Sequence, residues 1–364
     1  MPNDNPIKKI FDLYTSDLSY QEIERLIKRE ANEVYEFFKS DIPKPNPYQN
    51  KLTRSLIFVR SLFNAFILRL TPARRIFYLI AILFFFAGFF EQIPLYLFAS
   101  FLILNLLLAF ELADKLTAKS EIEVARKIQF DLIPKHPTQI YNYQIATYYE
   151  PAREVGGDYF DVIENGERTY IVVGDISGKG MAAALHMVRV QAIIYQLMNY
   201  FTEIRDLMIN LKKYFSKNLR KEYFLTITLA SLEKDNTIKL SRAGHPPAMK
   251  FNTASNEIEV ISPQGIGIGL NDKGVFERTL EVAEIKMNHG DILFLYSDGV
   301  TDTMNIMRDQ FGDENVKRVI KNNSQKSAEE IKSALLNAII SFRGSANQHD
   351  DLTMVILKAD HSPL

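Results

Sequence analysis

The chain has 364 residues, which leaves room for about two domains. Its 43 basic and 44 acidic residues leave a formal net charge of −1, so the overall charge gives no reason to expect a nucleic-acid partner. The absence of cysteine excludes disulfides, thiolate metal sites and every mechanism with a cysteine nucleophile. Any metal must therefore be held by oxygen or imidazole ligands, and oxygen ligands favour hard ions such as Mg²⁺ or Mn²⁺.

Residues 1–75 are predicted to form a small helical region. Apolar residues recur at helical spacing through residues 20–39, and a group of prolines ends that pattern. The stretch from Ser55 to Leu70 also has helical character, although Arg60 and Arg69 interrupt it. We expect this stretch either to lie on a membrane surface or to pack on the apolar segment that follows.

That segment, residues 76–110, contains a single charged residue, Glu91. It divides into two uncharged arms, Ile76–Phe90 and Leu95–Phe110, joined by a turn at Glu91–Pro94. At about 1.5 Å per residue each arm reaches roughly 22–27 Å, slightly less than a hydrocarbon core of about 30 Å. A buried hairpin in a soluble domain is the alternative, but helices that are apolar all round need an enclosure that the flanking segments do not provide. The sequence therefore predicts a two-helix transmembrane hairpin.

Basic residues flank both ends of the hairpin. Arg69, Arg74 and Arg75 precede the first arm, and Lys115 and Lys119 follow the second. The positive-inside rule then places both termini and the rest of the chain in the cytoplasm, with only the turn facing outward. The predicted location is the cytoplasmic (inner) membrane, crossed by two spans.

Residues 111–134 are predicted to form one linker helix. Strong helix formers dominate the segment, apolar residues follow at helical steps, and Pro134 ends it. The run is too short to establish a coiled coil. We expect it either to pair with its counterpart in a homodimer or to pack on its own downstream domain.

Residues 135–360 are predicted to form a globular α+β domain. Short β-type runs stand in blocks between helical stretches, which favours layered sheets and helices over a βαβ repeat. The predicted strands are Tyr141–Tyr149, Tyr170–Val173, Phe224–Ser231, Thr237–Leu240, Ile292–Tyr296 and Met354–Leu357. The predicted helical stretches are Met181 to about Leu219 and Ala328–Phe342.

Aspartates in this domain recur beside glycine at the ends of apolar runs. Asp158 lies in GGDYFD, Asp175 in VGDISGKG and Asp298 in YSDG, while Asp350 and Asp351 precede the last strand. Each motif alone is compatible with an ordinary turn. Several carboxylates in one cleft, however, repel each other unless they are protonated or neutralised by divalent cations. Two cations would activate a water and hold phosphoryl oxygens, which indicates phosphate-ester hydrolysis without a protein nucleophile.

Two motifs suggest other functions; we reject the first and rank the second last. Gly174–Gly180 resembles a phosphate-binding P-loop, but it is one residue short and has no Ser or Thr after Lys179. Gly156–Phe160, GGDYF, resembles the GGDEF signature of diguanylate cyclases, but Tyr159 replaces the acidic residue. A nucleotide cyclase is therefore the least favoured function, behind a catalytically inactive signalling scaffold.

A series of motifs in order makes the chain resemble the bacterial SpoIIE/RsbU-type members of the PPM protein phosphatases. The motifs are EVARKIQFDLIP (123–134), EVGGDYFDV (154–162), VGDISGKGMAAAL (173–185), AGHPPA (243–248), PQGIGIGL (263–270), LYSDGVTD (295–302) and DDLTM (350–354). They cover about residues 121–358. The resemblance implies a central antiparallel β-sandwich flanked by helices, in α-β-β-α layers, with two Mn²⁺ or Mg²⁺ ions at one end.

The resemblance also implies roles for the aspartates. Asp175 would bridge both ions with the Ile176 carbonyl beside it, and Asp158 would ligate the second ion. Asp298 and Asp350 would hold the first ion, with Asp351 as the alternative to Asp350. The implied reaction is attack of metal-activated water on phosphoserine or phosphothreonine of a protein. In this family that protein is typically a STAS-domain anti-sigma-factor antagonist of a bacterial partner-switching pathway.

Other motif residues are expected to have structural roles. Asp161 is predicted to be a turn residue or to support the ligands from behind, and Gly178 and Gly180 are predicted to shape their loop. Lys179 is as compatible with solvent as with a substrate phosphate. His245 is expected to make a structural hydrogen bond near the two prolines rather than to act as the general acid.

Overall fold

The computed structural model describes residues 50–134, 138–166, 168–218, 223–270 and 274–360. The chain divides into two compact units, Met1–Thr117 and Ala118–Leu364, which we call the helical unit and the globular unit. The predicted helical pattern within residues 20–39 lies outside the described residues.

The described helices of the first unit are α1 (Lys51–Arg69), α2 (Pro72–Phe90) and α3 (Pro94–Asp131), the last of which continues into the globular unit. Proline suits the first turn of α2 and α3, because the missing N–H has no intrahelical partner there. The two predicted arms are helical and are joined by a turn at residues 91–93, with Gln92 at a φ of 54°. The structure has no break where the second arm and the linker helix were predicted to separate, because helix-forming residues continue through that boundary.

Helices of the first unit pack closely on one another. The Tyr78 ring of α2 lies 5.6 Å from the Phe66 ring of α1, measured between centroids. A Cβ on Gly88 of α2 would lie 2.9 Å from Cγ of Leu97 in α3, so glycine permits this close approach. Of the two positions expected for the Ser55–Leu70 stretch, the structure shows packing on the hairpin.

The outward faces of α2 and of the first half of α3 remain apolar. Phe90 is 76 % exposed and Leu108 is 67 % exposed. Among the described residues, three helices are long and apolar enough to cross a membrane by length and composition. They are α2, α3 and Met181–Met198 of the globular unit.

The globular unit contains two antiparallel sheets. The first has the strand order β1-β2-β11-β10-β7-β8 and the second the order β3-β4-β5-β6-β9. The strands are β1 (Gln139–Ile140), β2 (Tyr143–Glu150), β3 (Tyr159–Asn165), β4 (Arg168–Ile176), β5 (Leu225–Leu232), β6 (Thr237–Ala243), β7 (Ala248–Asn252), β8 (Glu257–Ile261), β9 (Ala283–Lys286), β10 (Ile292–Tyr296) and β11 (Leu352–Ala359).

Helices cover the outer faces of both sheets. They are α4 (Met181–Met198), α5 (Ile204–Asn218), α6 (Val275–Thr279), α7 (Asp298–Thr301), α8 (Gly312–Asn322) and α9 (Ala328–Arg343). One core joins α4 and α5 to the second sheet, one lies between the sheets, and a third joins α8 and α9 to the first sheet. These layers confirm the predicted α-β-β-α sandwich.

Central strands are buried on both faces, which explains their continuous apolar runs. In β4, Val172 packs in the core under α4 and α5, while Ile171 and Val173 pack between the sheets. The strand ends with Asp175, which is partly exposed, and Ile176, which is still buried in the core under α4 and α5. The strand thus holds a carboxylate at its end on a rigid support.

One local prediction is wrong, and one of the two alternatives for Asp161 is excluded. The helical stretch predicted from Met181 to about Leu219 is two helices, α4 and α5, with a break at residues 199–203. Asp161 is not in a turn but inside β3, fully buried. Its carboxylate can be buried there because it accepts hydrogen bonds from the Tyr159 hydroxyl at 2.9 Å and Gln191 Nε2 at 3.2 Å.

Candidate active site

Strand pairing gathers the predicted aspartates at one end of the sandwich. In the second sheet Tyr159, which follows Asp158, pairs with Gly174, which precedes Asp175. In the first sheet the end of β10 pairs with the start of β11, which brings Asp298 beside the Asp350–Asp351 segment. A hydrogen bond of 2.5 Å from Thr353 Oγ1 to Asp158 Oδ2 joins the two sheets at this end.

Glycines beside the aspartates permit close approach of the backbone. A Cβ on Gly157 would lie 2.8 Å from the Ile176 carbonyl oxygen and 3.3 Å from Asp175 Oδ1. Gly178 and Gly180 have φ values of 106° and 74°, which fits their predicted role in shaping the loop. Gly157 therefore serves close packing beside an aspartate, while Gly178 and Gly180 supply positive φ values in the loop after β4.

Asp351 holds the loop that precedes β3. Its buried carboxylate accepts hydrogen bonds from the backbone N–H groups of Ala152 at 2.7 Å, Gly157 at 2.6 Å and Asp158 at 3.3 Å. Burial nevertheless raises the pKa of Asp351. Both carboxylate oxygens are thus occupied by the fold itself.

Asp350 has different neighbours. Its Oδ2 accepts a hydrogen bond from Lys179 Nζ at 2.9 Å, and its Oδ1 accepts one from the Asp351 N–H at 3.1 Å. Lys179 also donates to the carbonyl of His349 at 2.5 Å, so it is neither simply solvated nor free of the site. Because Asp350 and Lys179 are both partly exposed, this ion pair is easily rearranged.

Burial and mutual repulsion raise the pKa values of the carboxyl groups in the cluster. Burial raises the pKa of Asp158 well above its usual range, and Asp175 and Asp351 add to the shift. Burial, followed by Asp298, Asp350 and Asp351, raises the pKa of Asp175 to about 7. These groups therefore lie close enough to oppose one another's ionisation.

Asp302 belongs to the same cluster, although its sequence context predicted no role for it. Burial raises its pKa, and the charges of Asp350 and Asp313 raise it further. Burial likewise raises the pKa of Asp298, with Asp350 and Asp302 as further causes. The sequence feature that could have indicated Asp302 is its position four residues after Asp298, because side chains four residues apart on a helix share a face.

The donor set fits hard divalent cations. The carboxylates and the Ile176 carbonyl offer only oxygen, and opposite charge would relieve the repulsion that raises the pKa values. Within the residues described, no three acidic or histidine side chains already form a closed ligand set. Contacts with Thr353 and Lys179 instead engage oxygens of Asp158 and Asp350.

His245 is part of the scaffold beneath this end of the sandwich. It is buried, and its Nδ1 lies 3.0 Å from the Thr226 hydroxyl, on the strand that pairs with β4. Burial, and then the charge of Arg242, lower the pKa of His245 to about 3. The imidazole is therefore neutral and makes the expected structural hydrogen bond.

Solved structures define the class to which this fold belongs. The SiaA-PP2C domain of Pseudomonas aeruginosa aligns with a TM-score of 0.60 and 17 % identity, over 68 % of this chain and 99 % of that one. The PP2C phosphatase domain of SpoIIE from Bacillus subtilis, with a fragment of its regulatory domain, aligns with a TM-score of 0.53 and 19 % identity, over 61 % and 64 %. The fold is that of the PPM (PP2C-type) phosphatases.

Sequence comparison narrows the class to a family. The profile of Stage II sporulation protein E (SpoIIE) matches residues 165–360. The chain therefore belongs to the SpoIIE family of PPM-type protein serine/threonine phosphatases. It is also 26 % identical over 246 residues to the phosphoserine phosphatase RsbU of Bacillus subtilis strain 168, covering 66 % of this chain and 70 % of the relative.

Proposed function

We propose that the chain uses two divalent ions, Mn²⁺ or Mg²⁺, to hydrolyse phosphoserine or phosphothreonine on a protein. The observation that carries this proposal is the meeting of carboxylates from both sheets, each opposing the ionisation of its neighbours. When bound, the ions supply an activated water and neutralise phosphoryl charge. Asp175 would bridge them beside the Ile176 carbonyl, Asp158 would hold one, and Asp298 and Asp350 the other.

The choice of Asp350 over Asp351 rests on their different contacts. Three backbone N–H groups occupy the Asp351 oxygens, and releasing them would free the loop that carries Asp158. Asp350 Oδ2 would have to exchange only the partly exposed ammonium of Lys179, while Oδ1 could keep the Asp351 N–H. Asp351 is therefore proposed to position Asp158 rather than to bind an ion.

The substrate is proposed to be a phosphorylated STAS-domain protein, an anti-sigma-factor antagonist of a partner-switching pathway. Similarity to RsbU, which is named as a phosphoserine phosphatase, supports this choice. The carboxylates at the end of the sandwich also suit a phosphate presented on a protein surface, because Asp298 and Asp302, although partly desolvated, are exposed.

We further propose that α2 and the first part of α3 cross the cytoplasmic membrane, with both termini and the globular unit in the cytoplasm. Their exposed apolar faces support these two spans. The third apolar helix, α4, is better explained by the globular unit, since Met187, Val190 and Ile194 lie in its core. Carbonate-washed membranes should retain the protein, and recovery in the soluble fraction would contradict the spans.

The linker segment 111–134 is proposed to contribute to a homodimer. Its apolar residues Leu112, Leu116, Val124 and Ile128 remain exposed at intervals of four or eight residues, which places them along one ridge of a helix. The end of α3, which belongs to the globular unit, packs on the loop before β3, because buried Gln129 exchanges two hydrogen bonds with the Gly156 backbone. One helix can therefore both pair with its counterpart in a homodimer and pack on its own downstream domain.

The decisive experiment uses the full chain in detergent with a panel of phosphoserine STAS-domain proteins. We expect Mn²⁺-dependent release of phosphate, lost by at least about 10²-fold in Asp175→Asn. Asp206→Asn, an exposed aspartate of α5, is the matched control and should keep full activity. Undiminished activity of Asp175→Asn would contradict the metal bridge. Failure to bind Mn²⁺ in calorimetry would instead favour the inactive scaffold.

A further inference from the structure

A short hairpin follows α7 directly; we call residues 303–311 the tip hairpin. Its two arms meet in an antiparallel bridge between Met304 and Gln310, closed by a hydrogen bond from the Phe311 N–H to the Thr303 carbonyl at 2.9 Å. Asn305 fixes the turn, because its Oδ1 accepts hydrogen bonds from the N–H groups of Met307 at 2.8 Å and Asp309 at 3.0 Å. The hairpin is therefore held by polar groups.

The side chains at the end of this hairpin are apolar and unburied. Ile306 is 73 % exposed and Met307 is 75 % exposed. Neither is needed to close the turn, since the Asn305 side chain already does so. Two adjacent large apolar side chains held outward on a braced turn resemble the anchors of protein interfaces, in which few residues carry most of the affinity.

The hairpin is attached to the carboxylate cluster. Gln310 Nε2 donates a hydrogen bond to Asp302 Oδ1 at 3.1 Å, and Asp302 lies one helical turn after Asp298. Ile306 is four positions after Asp302 in the chain, so its Cα lies within about 14 Å of the Asp302 Cα at the edge of the cluster. A folded protein that presents its phosphate to the cluster therefore brings its own surface near the tip.

We propose that Ile306 and Met307 form a docking element that packs on an apolar patch beside the phosphorylated residue of the substrate protein. The inference rests on the proposed phosphatase function. It explains how the enzyme would select folded phosphoproteins over small phosphate esters, which cannot contact the tip hairpin. Methionine suits such a surface because its flexible thioether adapts to irregular apolar shapes. The phosphoprotein is the expected occupant because the tip and the carboxylates share Asp302.

The test compares the parent chain with a double variant, Ile306→Ser with Met307→Ser, in the full-length protein in detergent. Tyr200→Ser is the matched control, since Tyr200 is 73 % exposed but lies just after α4, outside the hairpin. Three substrates are used: p-nitrophenyl phosphate, a short phosphoserine peptide and a whole phosphoserine STAS-domain protein. Dissociation constants for the whole protein are measured separately in the Asp175→Asn background, where turnover is not required.

We expect the double variant to lose about 10-fold in kcat/KM for the whole phosphoprotein, through KM, and about 10-fold in affinity in the Asp175→Asn background. Hydrolysis of p-nitrophenyl phosphate and the peptide should stay within about two-fold, as should every reaction of Tyr200→Ser. A matched thermal melting curve confirms folding.

The docking role is overturned if the double variant binds the phosphoprotein as tightly as the parent, or if it loses activity equally on all three substrates. A change only in oligomeric state or in vesicle binding, with unchanged phosphoprotein affinity, overturns it as well. If the parent hydrolyses none of the substrates, the proposed function fails, and the dissociation constants still decide the docking role.

Discussion

The globular unit buries its large apolar side chains, whereas the helical unit exposes many of them on its surface. In the globular unit, Ile171, Val172 and Val173 are completely buried, on both faces of β4. In the helical unit, small residues such as Ala81 and Gly88 are buried at helix contacts, while large ones such as Phe90 and Leu95 face outward. The hydrophobic effect drives the burial of large apolar side chains in the globular unit. Helices that contact one another through small residues and turn large apolar side chains outward are typical of membranes.

The largest effect expected from this contrast is the loss of a core aromatic in the globular unit. Phe294 of β10 is fully buried between the first sheet and helices α8 and α9. Phe294→Ala should lower the free energy of unfolding of the globular unit by about 3–5 kcal/mol, because it removes apolar contact and leaves a cavity. The measurement is chemical denaturation followed by circular dichroism.

The same truncation in the helical unit is the control. Phe90→Ala removes an exposed side chain of α2 and should leave the unfolding of the globular unit unchanged. Equal losses from the two variants would show that the two units do not differ in the way described.

An arginine in place of an exposed leucine should have a larger effect in the helical unit than in the globular unit. Leu83 in α2 and Leu185 in α4 are both exposed, by 68 % and 63 %. Leu83→Arg should oppose membrane insertion by about 3 kcal/mol, because arginine at the centre of a span is unfavourable. Leu185→Arg should change stability by less than about 0.5 kcal/mol, because its side chain faces water. Carbonate extraction measures the first effect and denaturation the second; retention of Leu83→Arg in washed membranes would argue against the α2 span.

The same contrast explains which parts of the fold the sequence predicts. Strands such as β4 and β10 are buried on both faces, so their unbroken apolar runs are visible in the sequence. The strand β8, with two glutamates and no fully buried residue, lacks that signal and was not predicted. Helix α8 was also missed, since charged residues occupy much of it and only Val316 and Ile320 are buried.

Some features of the candidate site could likewise be predicted from the sequence, and others could not. Asp158, Asp175, Asp298 and Asp350 could be proposed because each stands beside glycine or at a strand end, which are local features. Contacts that join distant segments could not. Thr353 lies 195 residues from Asp158 in the chain, and the backbone bonds of Asp351 span a similar distance. Such pairings depend on the complete sandwich.

Buried and exposed carboxylates should differ as clearly as buried and exposed phenylalanines. Asp351→Ala leaves three backbone N–H groups without their acceptor and should cost about 1–3 kcal/mol. Glu111→Ala in the helical unit removes an exposed ion pair with Arg74 and should cost less than about 1 kcal/mol. Thermal melting of the metal-free chain measures both changes.

Asp350→Ala completes that comparison. Because the Lys179 pair is exposed, this variant should keep its stability within about 0.5 kcal/mol while losing Mn²⁺ affinity in calorimetry. The reverse outcome, with Mn²⁺ affinity lost in Asp351→Ala and kept in Asp350→Ala, would assign Asp351 as the ligand.

The last expected effect is a pH dependence confined to the globular unit, where the carboxylates cluster. The folded pKa of Asp175, about 7, lies above its ordinary value of 3.8, so the metal-free folded state binds more protons than the unfolded state between these values. This contribution to stability is fully present below the lower value and is lost as the pH rises through the upper one. The free energy of unfolding should therefore fall from about pH 5 to pH 7, by at most about 1.4 kcal/mol per pH unit for one proton.

Chemical denaturation in the presence of a chelator measures this slope. Asp175→Asn should flatten it, because the amide does not titrate, and saturating Mn²⁺ should abolish it by keeping the carboxylates ionised. Stability that rises over the same interval in the metal-free chain would show that the cluster does not hold its extra protons. This arrangement of carboxylates would then not explain cation binding, and the same residues would have to be arranged differently in the metal-bound protein.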